Sequence, residues 1–481
     1  MTQGNRITWQ PIEWEPTEWE VFHTDDGEAY IDVCEEGYRQ TYLIRGEEFS
    51  NLLRGRYYNH YKQFIKPQML KEILELLKAK AKFEGPKRNV YLRLAEHEGR
   101  IYLDLGHPNW VVVEINPQGW RFVLTPPVRF RRSKRLQPLP QPEHGGQVNE
   151  LQQVLNVNPE NWPLVAAWLV ATLNPSGPYP VLVLNGEQGS GKSSLARMLK
   201  NLIDPSQGSL RSEPRREQDL MIAAARNWVL CFDNLSNLPD QLSDGLCRLS
   251  TGGSFATRRL YSNDEENVLE AARPVILTSI EELVVRGDLL DRCLCVNLPI
   301  ISEEKRRTER EIFTQYEELK PKLLGVLLDA VSLALRDRDK VKLEQVPRMA
   351  DFAIWVVAAA PALGLEPGAF MKAYNKNRQT AHELVLENSP VAQAIIALLE
   401  KKGIWEGKTS DLLLDLGNHA DWQANKGYIW PKAPNKLSNT LRRLIPGLRA
   451  MGIEVTFRRE GKQGVRIVRL EKVYVDSRFA S

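Results

Sequence analysis

Five side chains of this sequence have the type and spacing for phosphate chemistry: Lys192, Ser193, Asp233, Thr278 and Arg292. The first two close the run Gly186-Glu187-Gln188-Gly189-Ser190-Gly191-Lys192-Ser193-Ser194, which fits G-x-x-x-x-G-K-[ST], the P-loop. Its glycines let backbone N–H groups close around phosphate oxygens, which a Cβ would hinder. Lys192 is expected to reach the β- and γ-phosphates of ATP, and the Ser193 hydroxyl to hold Mg²⁺. Asp233 ends the apolar run Trp228–Phe232, the form of a Walker B strand, where an acid orients the metal and its waters. Thr278 and Ser279 end a second apolar run and would sense the γ-phosphate or the attacking water; the alternative is an ordinary polar strand end. Arg292 follows Asp288-Leu-Leu-Asp291. It would project into a neighbour's ATP site, or else pair with Asp291 or Asp288 on the surface.

These residues need a scaffold that the flanking sequence supplies. Val181–Leu184 is a β-branched strand pattern, and a helix begins near Lys192 with its positive dipole end toward the bound anion. Pro175-Ser-Gly-Pro-Tyr-Pro180 punctuates the approach, after an apolar helix at Trp162–Leu173. The expected class is therefore α/β with a parallel sheet over residues 150–300.

The 481 residues suggest roughly three domains. Net charge is only +3, so a nucleic-acid surface has to be local. Cys34, Cys231, Cys247, Cys293 and Cys295 lack metal-site or disulfide spacing and read as reduced core residues of a cytoplasmic protein. No apolar run is long enough to span a membrane, and the start lacks a signal-peptide pattern.

Residues 1–145 read as an α+β accessory or DNA-guiding unit. It has a helix at Pro67–Ala81, with Met69, Ile73, Leu76 and Leu77 on its apolar face. Strands are expected at Asn89–Leu94, Arg100–Leu105, Trp110–Ile115 and Trp120–Leu124. Arg129, Arg131, Arg132, Lys134 and Arg135 are either a solvated charged run or a phosphate-contacting strip. Pro138–Pro142 with Gly145-Gly146 reads as a linker. Residues 301–390 read as lid and connector helices: Glu303–Leu319, Leu323–Arg336 and Asp351–Ala360.

In residues 391–475, helices are expected at Val391–Glu400, Ser410–Leu416 and Asn435–Met451, the last kinked or cut short by Pro446. Strands at Gly452–Arg458 and Gly464–Leu470 follow, completing a winged-helix-like pattern. Its basic side includes Lys436, Arg442, Arg443, Arg449, Arg458, Arg459, Lys462, Arg466 and Arg469. That side would contact nucleic acid, or it is the solvated face of a protein-docking module.

The order of P-loop, Walker B strand, Thr251-Gly252-Gly253 with Arg258-Arg259, polar-ended strand and Leu-Leu-Asp-Arg resembles AAA+ ATPases of the superfamily 3 helicase type. It looks like the ATPase domain of phage, plasmid and poxvirus primase-helicases, chiefly over residues 150–300. The resemblance implies a ring, usually a hexamer, that hydrolyses ATP between subunits and draws single-stranded DNA through its pore. Three departures accompany it. Asn234 stands where a second Walker B acid is usual, and the sensor strand ends in Thr278-Ser279 rather than Asn. The expected pore hairpin, about Phe255–Leu269, has an acidic tip at Asn263–Glu266, leaving Arg258 and Arg259 to hold DNA. The expected activity is an ATP-driven, oligomeric DNA helicase or translocase for replication of a phage or mobile element, with duplex DNA held by the C-terminal unit. The alternative is a non-translocating nucleotide switch: a helicase loader, an anti-phage effector or a DNA-bound scaffold.

Overall fold

The structure, a computed structural model, describes residues 19–236, 238–258, 266–279, 287–387, 389–419, 430–460 and 465–473. The chain opens with an antiparallel meander of β1 (Glu20–His23), β2 (Ala29–Glu35) and β3 (Tyr38–Leu43). Helices α1 (Glu47–Tyr61) and α2 (Pro67–Phe83) pack on it through Phe49, Leu53, Leu70, Ile73 and Leu77. Met69, expected on the apolar face of α2, is exposed, and Leu70 and Ala81 are buried instead.

The strand expected at Asn89–Leu94 is split in two. β4 (Val90–Tyr91) ends where Arg93 takes φ +53°, and β5 (Leu94–His97) starts a second antiparallel meander with β6 (Arg100–Asp104), β7 (Val112–Asn116) and β8 (Gly119–Val123). A short β9 (Arg129–Phe130) runs parallel to β4. Arg93 turns inward at the break and is only 2% exposed. Its Nε donates to Asp204 Oδ1 at 3.1 Å, and its other nitrogens reach the Asp104, Gln137 and Pro205 carbonyls. Burial alone would raise the Asp204 carboxyl. Lys200, Arg93 and the Val229 N–H outweigh it and hold the group below its ordinary value.

Next come α3 (Val148–Val154) and α4 (Trp162–Ala171), which precede the parallel sheet. That sheet takes β10 (Val181–Asn185), β11 (Leu230–Leu235), β14 (Val275–Ser279) and β15 (Cys293–Asn297) in the order β11-β14-β10-β15. Between them lie α5 (Lys192–Ile203), α6 (Glu217–Ala224), α7 (Asp240–Thr251), the antiparallel pair β12 (Gly253–Arg258) and β13 (Glu266–Ala271), and a short α8 (Gly287–Leu290). β10 and β14 are buried along their whole length, which accounts for their continuous apolar sequence.

Two helices were expected across 303–336, but a single α9 (Glu309–Asp337) is found, with Pro321 inside it. Thr308 and Glu311 cap its start reciprocally, which places the first turn after Arg307. The helix survives its proline because Leu323, Leu324, Leu327, Leu328 and Val331 are fully buried. The Pro138–Gly146 stretch, proline-rich like a linker, lies against this helix. Glu143 N–H donates to the Pro321 carbonyl, and a Cβ on Gly325 would sit 1.8 Å from the Glu143 oxygen. One continuous apolar core accordingly runs from Leu94 to Tyr374 and includes α10 (Ala350–Ala359) and the start of α11 (Ala369–Glu387).

The C-terminal unit has its own core. Its elements are α12 (Pro390–Lys402), β16 (Ile404–Lys408), α13 (Thr409–Gly417), α14 (Pro434–Ala450), β17 (Ile453–Glu460) and β18 (Val465–Lys472). Pro446 does not end α14, because Leu444 and Leu448 are buried on either side of it and Gly447 packs on Leu386. β16 was not expected. It completes a three-stranded antiparallel sheet in the order β16-β18-β17.

Candidate functional site

The glycine run forms a tight loop between β10 and α5. Gly189 and Gly191 have φ +83° and +85°, the left-handed region that glycine enters without strain. A Cβ on Gly186 would stand 2.8 Å from Ser190 Oγ and 3.1 Å from the Leu298 carbonyl. Lys192 is folded back over the loop, where its Nζ donates to the Gly186 and Glu187 carbonyls at 2.6 and 2.7 Å. Burial lowers the Lys192 ammonium from its usual pKa, and Asp233 works against that shift. Glu187, Gln188 and Gly189 face solvent at the crest of the loop, Ser190 is buried beneath it, and Ser194 is half-buried.

Asp233 joins the loop to the sheet. Ser193 Oγ donates to its two carboxylate oxygens at 2.9 and 3.1 Å, and Thr278 Oγ1 donates to Oδ1 at 2.6 Å. The strand order makes this possible. β14 lies between β11 and β10, so Thr278 stands between Asp233 and the loop at the same end of the sheet. Ser279 instead donates to the Leu235 carbonyl at 2.8 Å and holds the strand end.

Asn234 has a backbone role the sequence did not reveal. Phe232 pairs with Leu277 and Leu235 with Ser279, so β11 carries one extra residue, a bulge opposite Thr278. Asn234 takes φ +60° there, a region Asn tolerates better than most residues. Its N–H donates to Thr278 Oγ1 at 2.8 Å, while its side chain is exposed.

Arg292 is not part of this group. Val181 pairs with Cys293 and Asn185 with Asn297, so Arg292 lies about 20 Å from the loop, at the opposite end of the strands. Its Nη1 donates to the Asp288 carbonyl at 2.6 Å, and its Nε is buried without a partner among the described residues. It pairs with neither carboxylate expected of it in the surface alternative. Asp291 lies 3.0 Å from both Arg348 Nη1 and His382 Nε2.

Two asparagines near the loop carried no signal in the sequence. Asn156 Nδ2 donates to the Ser190 carbonyl at 3.0 Å and to the Pro299 carbonyl at 2.6 Å, tying the loop to the exit of β15. Asn185 Oδ1 is buried without a partner among the described residues, at the end of β10.

The C-terminal sheet separates its charges by face. On one face Arg458 is committed to Glu406 and Glu460, and Arg469 to Glu471 and Glu406. The opposite face carries Arg459 and Arg466, directly across the hairpin from each other, beyond the buried Val455, Val468 and Leu470. Arg442 of α14 lies over the Phe457 ring at 5.4 Å on that side, and Arg443 beside it is exposed. Arg442, Arg443, Arg459 and Arg466 have no ion-pair partner among the described residues. Arg259, Lys462 and positions 263–265 of the expected hairpin tip lie outside the described residues. Arg258 ends β12, and its side chain is likewise outside them. No described helix is long and apolar enough to cross a membrane.

Residues 148–378 match the family described as actinomycete integrative conjugative element replication protein, and residues 391–478 match the RepA C-terminal domain of the same elements. These two stretches relate the chain to the replication proteins of a mobile element. No curated protein matches. Among solved structures, the chain is similar to the A form apo structure of the NrS-1 C-terminal region, with 12% identity, a TM-score of 0.40, and coverage of 94% of this chain and 96% of that one. A further apo structure of the NrS-1 C-terminal region has 12% identity and a TM-score of 0.39, covering 95% and 96%.

Proposed function

We propose that the protein is an ATP-hydrolysing motor that moves along or unwinds DNA during replication of a mobile element. The observation that carries this reading is the convergence of Lys192, Ser193, Asp233 and Thr278 beside a glycine loop at one end of a parallel sheet. The two family matches support the replication role.

These residues fit a nucleoside triphosphate with Mg²⁺. The carbonyls that hold Lys192 are acceptors that β- and γ-phosphate oxygens would replace. Ser193 would ligate Mg²⁺, and Asp233, now one hydroxyl away from that position, would accept hydrogen bonds from the ion's waters. When bound, the ion supplies charge neutralisation at the transferred phosphoryl group. Thr278 fixes the carboxylate by donating its one hydroxyl proton to Asp233 Oδ1, which leaves Oδ2 to face the attacking water. Asp233 is then both the metal orienter and the acceptor of the water's proton, since the amide of Asn234 cannot accept one.

Arg292, a strand length from its own loop, would serve a neighbouring subunit as an arginine finger, so this reading includes a ring of subunits, a hexamer by resemblance. The Pro390–Lys472 unit is read as a winged helix that grips duplex DNA through Arg442, Arg443, Arg459 and Arg466. Arg458 is left out of that set because of its carboxylate partners. Arg258 and Arg259 would face single-stranded DNA in the pore. Electron microscopy with a slowly hydrolysed ATP analogue and forked DNA tests the assembly: rings threaded by DNA support it, and monomers throughout reject it.

One observation favours the alternative of a non-translocating ATP-binding switch. Asn234 adds no second acid to the site and points its side chain to solvent. That reading requires nucleotide binding with negligible turnover.

A further inference from the structure

A second basic site lies away from the glycine loop. A cleft of about 440 Å³ opens between the segment after β9, the 205–211 loop and the end of α6. Its size falls in the range of small-molecule sites. Six basic residues line it against one acid, Glu48. Three are already engaged: Arg132 pairs with Asp104, Lys134 with Glu47, and Arg131 reaches the Ala225 carbonyl. The other three, Arg135, Arg211 and Arg226, have no ion-pair partner among the described residues.

The backbone holds these three together. Gln207 N–H donates to the Arg135 carbonyl at 2.8 Å, and Arg211 exchanges hydrogen bonds with Cys231 and Asp233 along the free edge of β11. Arg211 is half-buried. Burial first, then the like charges of Arg135 and Arg226, push its guanidinium below the usual value. Gathering these cations around the single carboxylate of Glu48 in a partly desolvated cleft is unfavourable unless an anion completes the site. Planar guanidinium groups match phosphate oxygens two at a time. Ile222 on the rim is 58% exposed and offers an apolar surface for a base or sugar beside the charges.

We propose that this cleft binds the phosphate group of a nucleotide unit, carried by a DNA strand or by a free nucleotide. The strand is the source expected if the motor reading is right, but the site itself does not depend on that reading. The test uses the full-length protein with Arg135→Gln and Arg226→Gln together. Both side chains are exposed, so thermal unfolding should match the parent, and Arg135→Lys with Arg226→Lys serves as a control that keeps the charge. In a parent carrying Arg442→Gln and Arg443→Gln, anisotropy of a labelled oligothymidylate should show affinity falling about tenfold. The salt slope should flatten by about 1.4, as expected for two lost contacts to a single strand. In a Lys192→Ala parent, which disables the glycine loop, binding of a fluorescent ATP analogue reports the free-nucleotide source. Loss of oligonucleotide binding assigns the site to a strand, and loss of residual analogue binding assigns it to a free nucleotide. If neither changes, the proposal is overturned. Because both readouts are of binding, absence of ATP turnover would sink the motor reading and leave this result intact.

Discussion

Replacing Thr278 with Val tests the geometry at the end of the sheet. The side chain is 1% exposed, and valine fills nearly the same volume, so the substitution removes a hydroxyl and little else. Two hydrogen bonds go with it: the 2.6 Å donation to Asp233 and the 2.8 Å acceptance from the Asn234 N–H. A hydrogen bond to a charged group contributes about 1.5–3 kcal/mol. If that contribution is felt mainly when Asp233 must hold water and metal in line, the turnover number falls roughly 10- to 150-fold. Nucleotide affinity should change little, since Lys192 and the loop glycines are untouched. The stranded Asn234 N–H lies beside solvent, so stability should fall by only about 1 kcal/mol. Thr278→Ser restores both bonds and should recover most of the rate. Steady-state ATP hydrolysis, nucleotide titration and thermal unfolding on the three proteins give the answer. A valine variant with unchanged turnover would refute the role given to Thr278. A valine variant that loses nucleotide affinity in proportion to rate would show that the residue binds substrate rather than positioning the acid.

Arg292→Ala should leave ATP binding intact and slow hydrolysis by roughly three or more orders of magnitude, and mixing it with Lys192→Ala protein should restore part of the rate. No recovery in mixtures that demonstrably exchange subunits would count against action in trans. Asn234→Glu should leave turnover unchanged or lower, because φ +60° costs a longer side chain about 1 kcal/mol or more and adds charge beside Asp233, whereas Asn234→Gly should be tolerated. A several-fold faster Asn234→Glu enzyme with unchanged affinity would mean that an acid is missing from the site. Asp204→Asn leaves Arg93 and Lys200 buried without a counter-charge and should destabilise the fold by about 3–5 kcal/mol, read by denaturant unfolding. The folded Asp204 pKa is depressed, so its contribution is full above the unfolded carboxyl value near 4 and is lost as pH falls through the folded value. The wild-type protein should therefore lose stability below about pH 4, and the Asn variant should show a smaller acid loss.

The glycine loop and both polar-ended strands were legible because each is a short local pattern whose chemistry and structure coincide. β10 and β14 are continuous apolar runs, and such runs are buried strands in a parallel sheet. What the sequence hid depends on partners distant in the chain. Arg93 breaks an apparent strand only because Asp204 lies in reach, and Asn156 clamps the loop from an irregular stretch before α4. β2 is not legible from local pattern because Asp32 interrupts its apolar run. That carboxylate is buried, accepting from Thr41 and Arg129. The bulge at Asn234 is a register feature, invisible without the pairing strand. Arg458 looked like its basic neighbours, and the register through β18 to β16 reveals its partner Glu406.

In the proposed motor, the glycine-loop site hydrolyses ATP in answer to DNA. Steady-state ATP turnover of wild-type and Lys192→Ala proteins, with and without single-stranded DNA and in parallel with a strand-separation assay, tests it most directly. Mg²⁺-dependent turnover should rise with DNA, accompany strand separation, and disappear in the Lys192→Ala protein. Tight nucleotide binding with negligible turnover, whether or not DNA is present, would contradict it and leave the switch.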